Sequence, residues 1–298
     1  MDQKRYGAAI AAMCLGIFSL VLSDTVAKEL VQRYDALQIM FFRSSIALPI
    51  VMFIVVRAEG WGALRSKRPA VHLLRAVLTL GATYTFFTSL RTLPLAGATA
   101  LALTAPLFVT ALSVPLLGEK VGRLRWGALV VGFGGAMVIV QPGAETLQPA
   151  ALLALGTALC YALVMIAARW IHEQDSLRTV MFYLTALPML LTSWTLFQDW
   201  PVVTGADVAL ITAMAICGTV GITFITQGFR MAPAAIVAPF DYTALIWASI
   251  TGWVFFAELP RAATYLGAAI IVVAGLFVIW RESRAARSET PAGIFKDP

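Results

Sequence analysis

Hydrophobic positions in this chain come in long runs, not in the alternation of a half-buried strand or the one-sided stripe of a soluble helix. Ten runs stand out, near residues 7–27, 36–56, 72–90, 95–117, 125–141, 149–169, 179–197, 206–227, 233–257 and 262–280. Each is long enough, or nearly so, to cross about 30 Å of hydrocarbon, the fifth being the shortest. Inside lipid only helices or closed barrels satisfy every backbone N–H and C=O. These runs are too long and too continuous for barrel strands. The pattern therefore predicts an all-α membrane bundle of ten transmembrane helices. The first run follows Lys4 and Arg5 as a leader peptide would. It continues to Val26 without a small-residue cleavage site, so a retained span is expected.

The runs repeat. A shift of 139 residues lays Pro49 on Pro188, Arg91 on Arg230, Pro94 on Pro233, Thr104 on Thr243, Ala105 on Ala244 and Glu119 on Glu258. The chain reads as two copies of one five-span unit, residues 1–143 and 144–281, followed by a polar tail at 282–298 expected to be disordered and cytoplasmic. Five is odd, so the second copy enters from the opposite face, a 5 + 5 inverted repeat. Such folds place a site near the bilayer midplane between the halves.

Charge sets the orientation. With the N-terminus in the cytoplasm, most of the 22 Lys and Arg fall on that side, and Lys28, Arg33, Arg91 and Arg261 alone on the other, with Arg43 inside the second run. This is the positive-inside pattern, and it puts both termini in the cytoplasm. It also accounts for the net charge of +6 without a nucleic-acid partner. Composition agrees: 60% hydrophobic residues, 13% charged and a mean hydropathy of +0.83, against about 25% charged in soluble domains. Cys14, Cys160 and Cys217 sit singly within apolar runs with no CxxC, as small packing residues do, and imply neither metal nor cofactor. No P-loop, HExxH or GxSxG is present, so neither ATP drive nor enzymatic chemistry is indicated. Thr219-Val220-Gly221 lacks the Tyr-Gly of a potassium filter.

The sharpest chemical signal is Asp241, eight residues past Pro233 and about 12 Å along a helix at about 1.5 Å per residue. A carboxylate at that depth faces a polar cavity or a buried partner and marks a transport path. It would bind a cationic group or carry a coupling proton, or else pair structurally with Arg43. Arg43 would take a carboxylate, or snorkel to the outer interface. Asp24 is a candidate for coupling or gating, the alternative being an i,i+4 pair with Lys28. Glu119 and Glu258 are expected to cap or pair at helix ends, and His72 to lie at a cytoplasmic surface. Pro106 and Pro239 are expected to kink the fourth and ninth runs and free carbonyls toward the cavity. The fifth and tenth runs carry small residues, Gly127, Gly132, Gly135 and Ala136 among them, and are expected to be close-packed scaffold or dimer-contact helices.

FFRSSIALP (41–49), RPAVHLLRA (68–76), TAPLF (104–108), GEKVGRLRWGALVVGFGGAMVIVQPG (118–143) and VAPFDYTALIW (237–247) together resemble the EamA-type carriers of the drug/metabolite transporter superfamily, over nearly the full chain. The resemblance implies the ten-helix inverted repeat and a central cavity lined by the first, third, fourth, sixth, eighth and ninth runs. Tyr84, Phe87, Tyr161, Tyr242 and Trp247 would then supply aromatic walls, with Thr104, Thr223, Thr243 and Gln227 as hydrogen-bonding groups. The function implied is that of a multi-pass inner-membrane carrier of a small amphipathic molecule, working by alternating access. Amino-acid export is the first expectation. Uptake of S-adenosylmethionine or riboflavin is the alternative, and a channel or membrane-embedded enzyme a remoter one. A homodimer is permitted.

Overall fold

The computed structural model describes residues 3–119, 121–141, 149–169 and 175–288, and the regular elements among them are all helical. They are α1 (Gln3–Leu30), α2 (Ala36–Glu59), α3 (Pro69–Ser89), α4 (Leu95–Ala102), α5 (Ala105–Leu117), α6 (Arg123–Val140), α7 (Pro149–Arg169), α8 (Leu177–Thr192), α9 (Gly205–Met231), α10 (Ala234–Val237), α11 (Thr243–Phe256) and α12 (Ala262–Ser288). Short 3₁₀ segments lie at Trp61–Leu64, Ser193–Phe197 and Ala238–Tyr242. Local chemistry sets several boundaries. Asp35 and Gln38 form a capping box at the start of α2, and Thr204 and Asp207 form another at the start of α9. Gly118, at φ 69°, ends α5 in the left-handed region that a side chain disfavours. Lys120 and residues 142–148, 170–174 and 289–298 lie outside the described residues; of the tail expected to be disordered from 282 onward, residues 282–288 instead continue α12 as helix.

Nine helical stretches among the described residues are long and apolar enough to cross a membrane. The ninth run, read as one helix, corrects to three pieces: α10, the 3₁₀ turn and α11. Pro239 is the cause, because it lacks the N–H that would continue the ladder and its ring crowds the preceding turn. The fourth run breaks at the equivalent place, between α4 and α5, just before Pro106. At both breaks a threonine takes the loosened carbonyl. Thr104 Oγ1 donates to the Leu101 carbonyl at 2.7 Å, and Thr243 Oγ1 to the Phe240 carbonyl at 2.7 Å. These two carbonyls are satisfied within the chain and are not free for a solute.

Four packing pairs dominate: α1 on α9, α3 on α7, α6 on α12 and α2 on α8. Smaller contacts join α5 to α7, α1 to α11 and α4 to α11. Exchanging each span of the first half for its counterpart in the second returns the same set of pairs. Close approach depends on glycine at two crossings. A Cβ on Gly16 of α1 would lie 2.8 Å from the Gly221 carbonyl of α9, and one on Gly135 of α6 would lie 2.8 Å from the Gly267 carbonyl of α12. In lipid, where apolar surface gains little by leaving the solvent, such backbone approach is what holds helices together. Gly132 is equally filled by Leu107 and Ala274. Gly127, expected in the same seam, instead has open space around its Cβ position.

Candidate functional site

Polar side chains gather at one end of the bundle and tie its elements together. Lys28, at the last turn of α1, donates to the Leu93 carbonyl at 2.7 Å and pairs with Glu258, just beyond α11, at 2.7 Å. The Leu95 N–H of α4 donates to the same carboxylate at 3.3 Å, and the ammonium lies 5.3 Å from the centre of the Phe256 ring. The expected Asp24–Lys28 pair is therefore not formed. Lys28 has the reach to satisfy a carboxylate from another span, and takes it. Beside this, Asp207 accepts from Tyr34 Oη at 3.0 Å and from Thr204 Oγ1 at 2.7 Å, and pairs with Arg33 at 2.9 Å. Arg91 donates to the Val31 and Tyr34 carbonyls at 3.0 and 3.2 Å. Trp200 packs edge-on to Phe42 at 4.7 Å. This network links α1, α2, the α3–α4 loop, α9 and the α11–α12 loop.

At the opposite end the ties involve α2, α3 and α8. Asp175 accepts from Ser66, from the Lys67 N–H at 3.0 Å and bonds His72 Nε2 at 2.9 Å. Glu59 pairs with Arg178 at 2.8 Å and accepts from Ser176 at 2.7 Å. His72, expected at a surface, is 1% exposed and stacked on Tyr183 with ring centres 4.6 Å apart. The correction arises because the loop after α7 folds its carboxylate onto the start of α3. Burial opposes the charge on Asp175, but the bonds from Ser66, the Lys67 N–H and His72 outweigh it and hold the carboxyl below the ordinary carboxylate range.

Between the two ends lie charged and polar groups that are surrounded by protein but still open to solvent. Tyr161 of α7 lies deep in the bundle and 54% of its surface is exposed. That combination means it lines an internal space. Asp241 is half-buried in the 3₁₀ turn, without a hydrogen bond or ion pair among the described residues, and within electrostatic reach of Tyr161. Arg75 of α3 is also within electrostatic reach of Tyr161; it is 8% exposed and its Nε has no partner among the described residues. The sequence assigned Arg75 only to topology, and the sole signal for a further role was its place one turn inside the third run. Asp24 and Arg43 form a second enclosed pair, half-buried and electrostatically coupled, with neither hydrogen bond nor ion pair among the described residues. The Arg43 guanidinium does not snorkel. It lies over Gly218 of α9, where a Cβ would stand 2.6 Å from Nη2. Asp241 likewise does not pair with Arg43.

The other candidates separate. Tyr242 lies within electrostatic reach of Asp241 but is 8% exposed, its unpartnered hydroxyl filling the space that a Cβ on Gly275 of α12 would need. Phe87 and Thr104 are 1% and 0% exposed and belong to the packing. Trp247 packs edge-on to Phe18 at 4.8 Å, its buried indole N–H unpartnered. Tyr84 faces an open apolar groove of about 300 Å³ with Leu37, Val77, Leu80 and Gly81. Thr223 and Gln227 lie exposed one turn apart on α9, the Thr223 hydroxyl bonded to the Thr219 carbonyl. Lys28, Glu258, Asp207 and Asp175 organise the two ends. Of these, Glu258 was expected to cap or pair at a helix end and does so, Lys28 was expected to pair but with Asp24, and the Thr-x-x-Asp capping signature at Thr204 was the visible hint for Asp207.

Comparison with known proteins places this arrangement. The chain is 29% identical over 286 residues to the S-adenosylmethionine uptake transporter of Rickettsia felis, covering 95% of this chain and 96% of the relative. It is 30% identical over 278 residues to the pseudopaline exporter of Pseudomonas aeruginosa, covering 92% and 96%. It is 33% identical over 229 residues to the riboflavin transporter of Rhizobium johnstonii, covering 76% of each. A protein solved by crystallography, 21% identical, superposes with a TM-score of 0.60 over 94% of this chain and 99% of that one, a likeness that speaks for the fold alone. Residues 7–141 and 148–281 each match the EamA-like transporter family, and the chain is a multi-pass membrane protein that belongs to that family.

Proposed function

We propose that the protein is a secondary carrier of the bacterial inner membrane that moves a small amphipathic metabolite by alternating access through the space around Asp241 and Tyr161. One observation carries this reading. A carboxylate without a partner sits on a broken span, enclosed by protein and yet reached by solvent. A structural carboxylate in lipid would be paired. Broken spans are where carriers place their sites, because the break exposes polar groups without exposing backbone to lipid.

The working topology is the 5 + 5 inverted repeat with both termini cytoplasmic. The exchange symmetry of the helix pairs supports the repeat, and the Lys and Arg distribution supports the orientation. The Lys28–Glu258 end then faces outward. In this reading its network is the gate that closes the cavity on the outer side. Transport requires that latch to open while the opposite end closes, with α1 and the α10–α11 break moving against α3 and α7.

For cargo, the relatives' names give S-adenosylmethionine the first place in a trial, followed by riboflavin and then free amino acids. The test is counterflow in proteoliposomes. Vesicles loaded with unlabelled solute should accumulate the labelled solute transiently and saturably. Linear, non-saturating flux would indicate a pore, and no flux of any of the three classes would remove the reading.

A further inference from the structure

Asp24 and Arg43 are not needed by the latch or by the Asp241 region. They are opposite charges on the consecutive spans α1 and α2, both half-buried, within electrostatic reach of each other and yet joined by neither hydrogen bond nor ion pair among the described residues. Two long-lived structural partners at that depth would close into a hydrogen-bonded pair, since each is costly to leave unpaired. The arginine is also given room. Gly218 lacks the Cβ that would strike the guanidinium at 2.6 Å, and Ser23, which precedes Asp24, reaches the same position at 3.2 Å while its hydroxyl donates to the Met214 carbonyl at 3.1 Å. Both groups are half-buried, so solvent reaches them.

We infer that Asp24 and Arg43 form a subsite for the α-amino-acid group of the cargo, the ammonium going to Asp24 and the carboxylate to Arg43. This rests on the carrier reading and narrows its substrate class to molecules with a free ammonium and a free carboxylate on one carbon. A guanidinium presents its N–H donors in a planar fork that fits a carboxylate. A solute carrying both charges would bridge the gap and satisfy both groups at once, whereas a solute lacking either leaves one enclosed charge unpaired. Discrimination of that kind is steep. Asp241 and Tyr161 would then meet the rest of the molecule.

The experiment is calorimetric binding to the purified full-length protein. The probes are S-adenosylmethionine, L-methionine and L-tryptophan, each beside its decarboxylated and its N-acetylated counterpart. At least one parent compound should bind, with affinity falling tenfold or more when either charged group is removed. In Arg43→Gln the parent and its decarboxylated form should bind alike, and in Asp24→Asn the parent and its N-acetylated form should bind alike. Arg43→Lys should keep part of the preference. The wild-type comparison stands without any variant, so poor folding of a variant does not shield the inference. Equal binding of parent and decarboxylated forms to the wild type, or binding of none of the parents, would overturn it. The carrier reading is judged separately by vesicle flux: zwitterion-selective binding without flux would sink the carrier and keep the subsite.

Discussion

Replacing Lys28 with methionine keeps the length and apolar stem of the side chain and removes the latch. The lysine side chain is 6% exposed and that of Glu258 29% exposed. Breaking a fully buried pair by removing one partner costs about 3–5 kcal/mol. Glu258 retains the Leu95 N–H and partial access to water, so about 2 kcal/mol is the reasonable share. If the contact exists only while this end is closed, the loss shifts the closed–open balance by about 30-fold, since each 1.4 kcal/mol is tenfold. Double electron–electron resonance can read the shift. Spin labels would be placed at Gln32 and Arg261, both exposed and on loops flanking the latch, after replacing Cys14, Cys160 and Cys217. The Lys28→Met protein should gain a longer-distance population that is minor in the parent, and Glu258→Gln a smaller one. An unchanged distance distribution with a lowered melting temperature would show that the pair merely stabilises the fold, and would refute the gating argument.

Other outcomes rest on the same structure. Gly135→Ala should destabilise the protein by about 1–3 kcal/mol, as overpacking does, because its Cβ would meet the Gly267 carbonyl; Gly127→Ala, with open space around it, should be neutral or mildly stabilising, and thermal unfolding in detergent compares the two. Tyr242→Phe removes a buried hydroxyl that has no partner and should leave both stability and cargo affinity unchanged or slightly improved; a loss of binding measured by calorimetry would place that hydroxyl in the site after all. Asp175 is held below the ordinary carboxylate range, so its stabilising contribution is present above its unfolded value and lost as pH falls through the folded one. Between pH 6 and pH 3, melting of the wild type should therefore approach that of Asp175→Asn, and a gap that stays constant would contradict the assignment.

The spans were legible because lipid leaves a chain few options: long apolar runs must be helices, and Pro106 and Pro239 must interrupt them. The repeat was legible because Pro, Thr and Glu recur at one spacing. Partner choice was not. Asp24 and Lys28 stand one turn apart and predict each other, yet Lys28 is satisfied by Glu258, 230 positions away, and no local pattern carries that. His72 looked superficial because the loop that covers it is distant in sequence. Tyr242 looked like a wall of the site because a kink at Pro239 does not say which way the residues after it turn. The 3₁₀ turn advances about 120° per residue where an α-helix advances about 100°, and it directs Tyr242 to α12 while Asp241 remains open. Asp241 itself was readable from a single fact, a lone acid deep in an apolar run.

The central claim is that cargo passes the unpartnered carboxylate of Asp241. Its most direct test is counterflow of labelled S-adenosylmethionine into proteoliposomes holding wild type, Asp241→Asn or Tyr242→Phe at equal reconstituted amounts, with riboflavin and L-tryptophan run alongside. The account predicts saturable counterflow of at least one solute by the wild type and by Tyr242→Phe, and a fall of tenfold or more for Asp241→Asn with its folding intact. Undiminished counterflow by Asp241→Asn would contradict it.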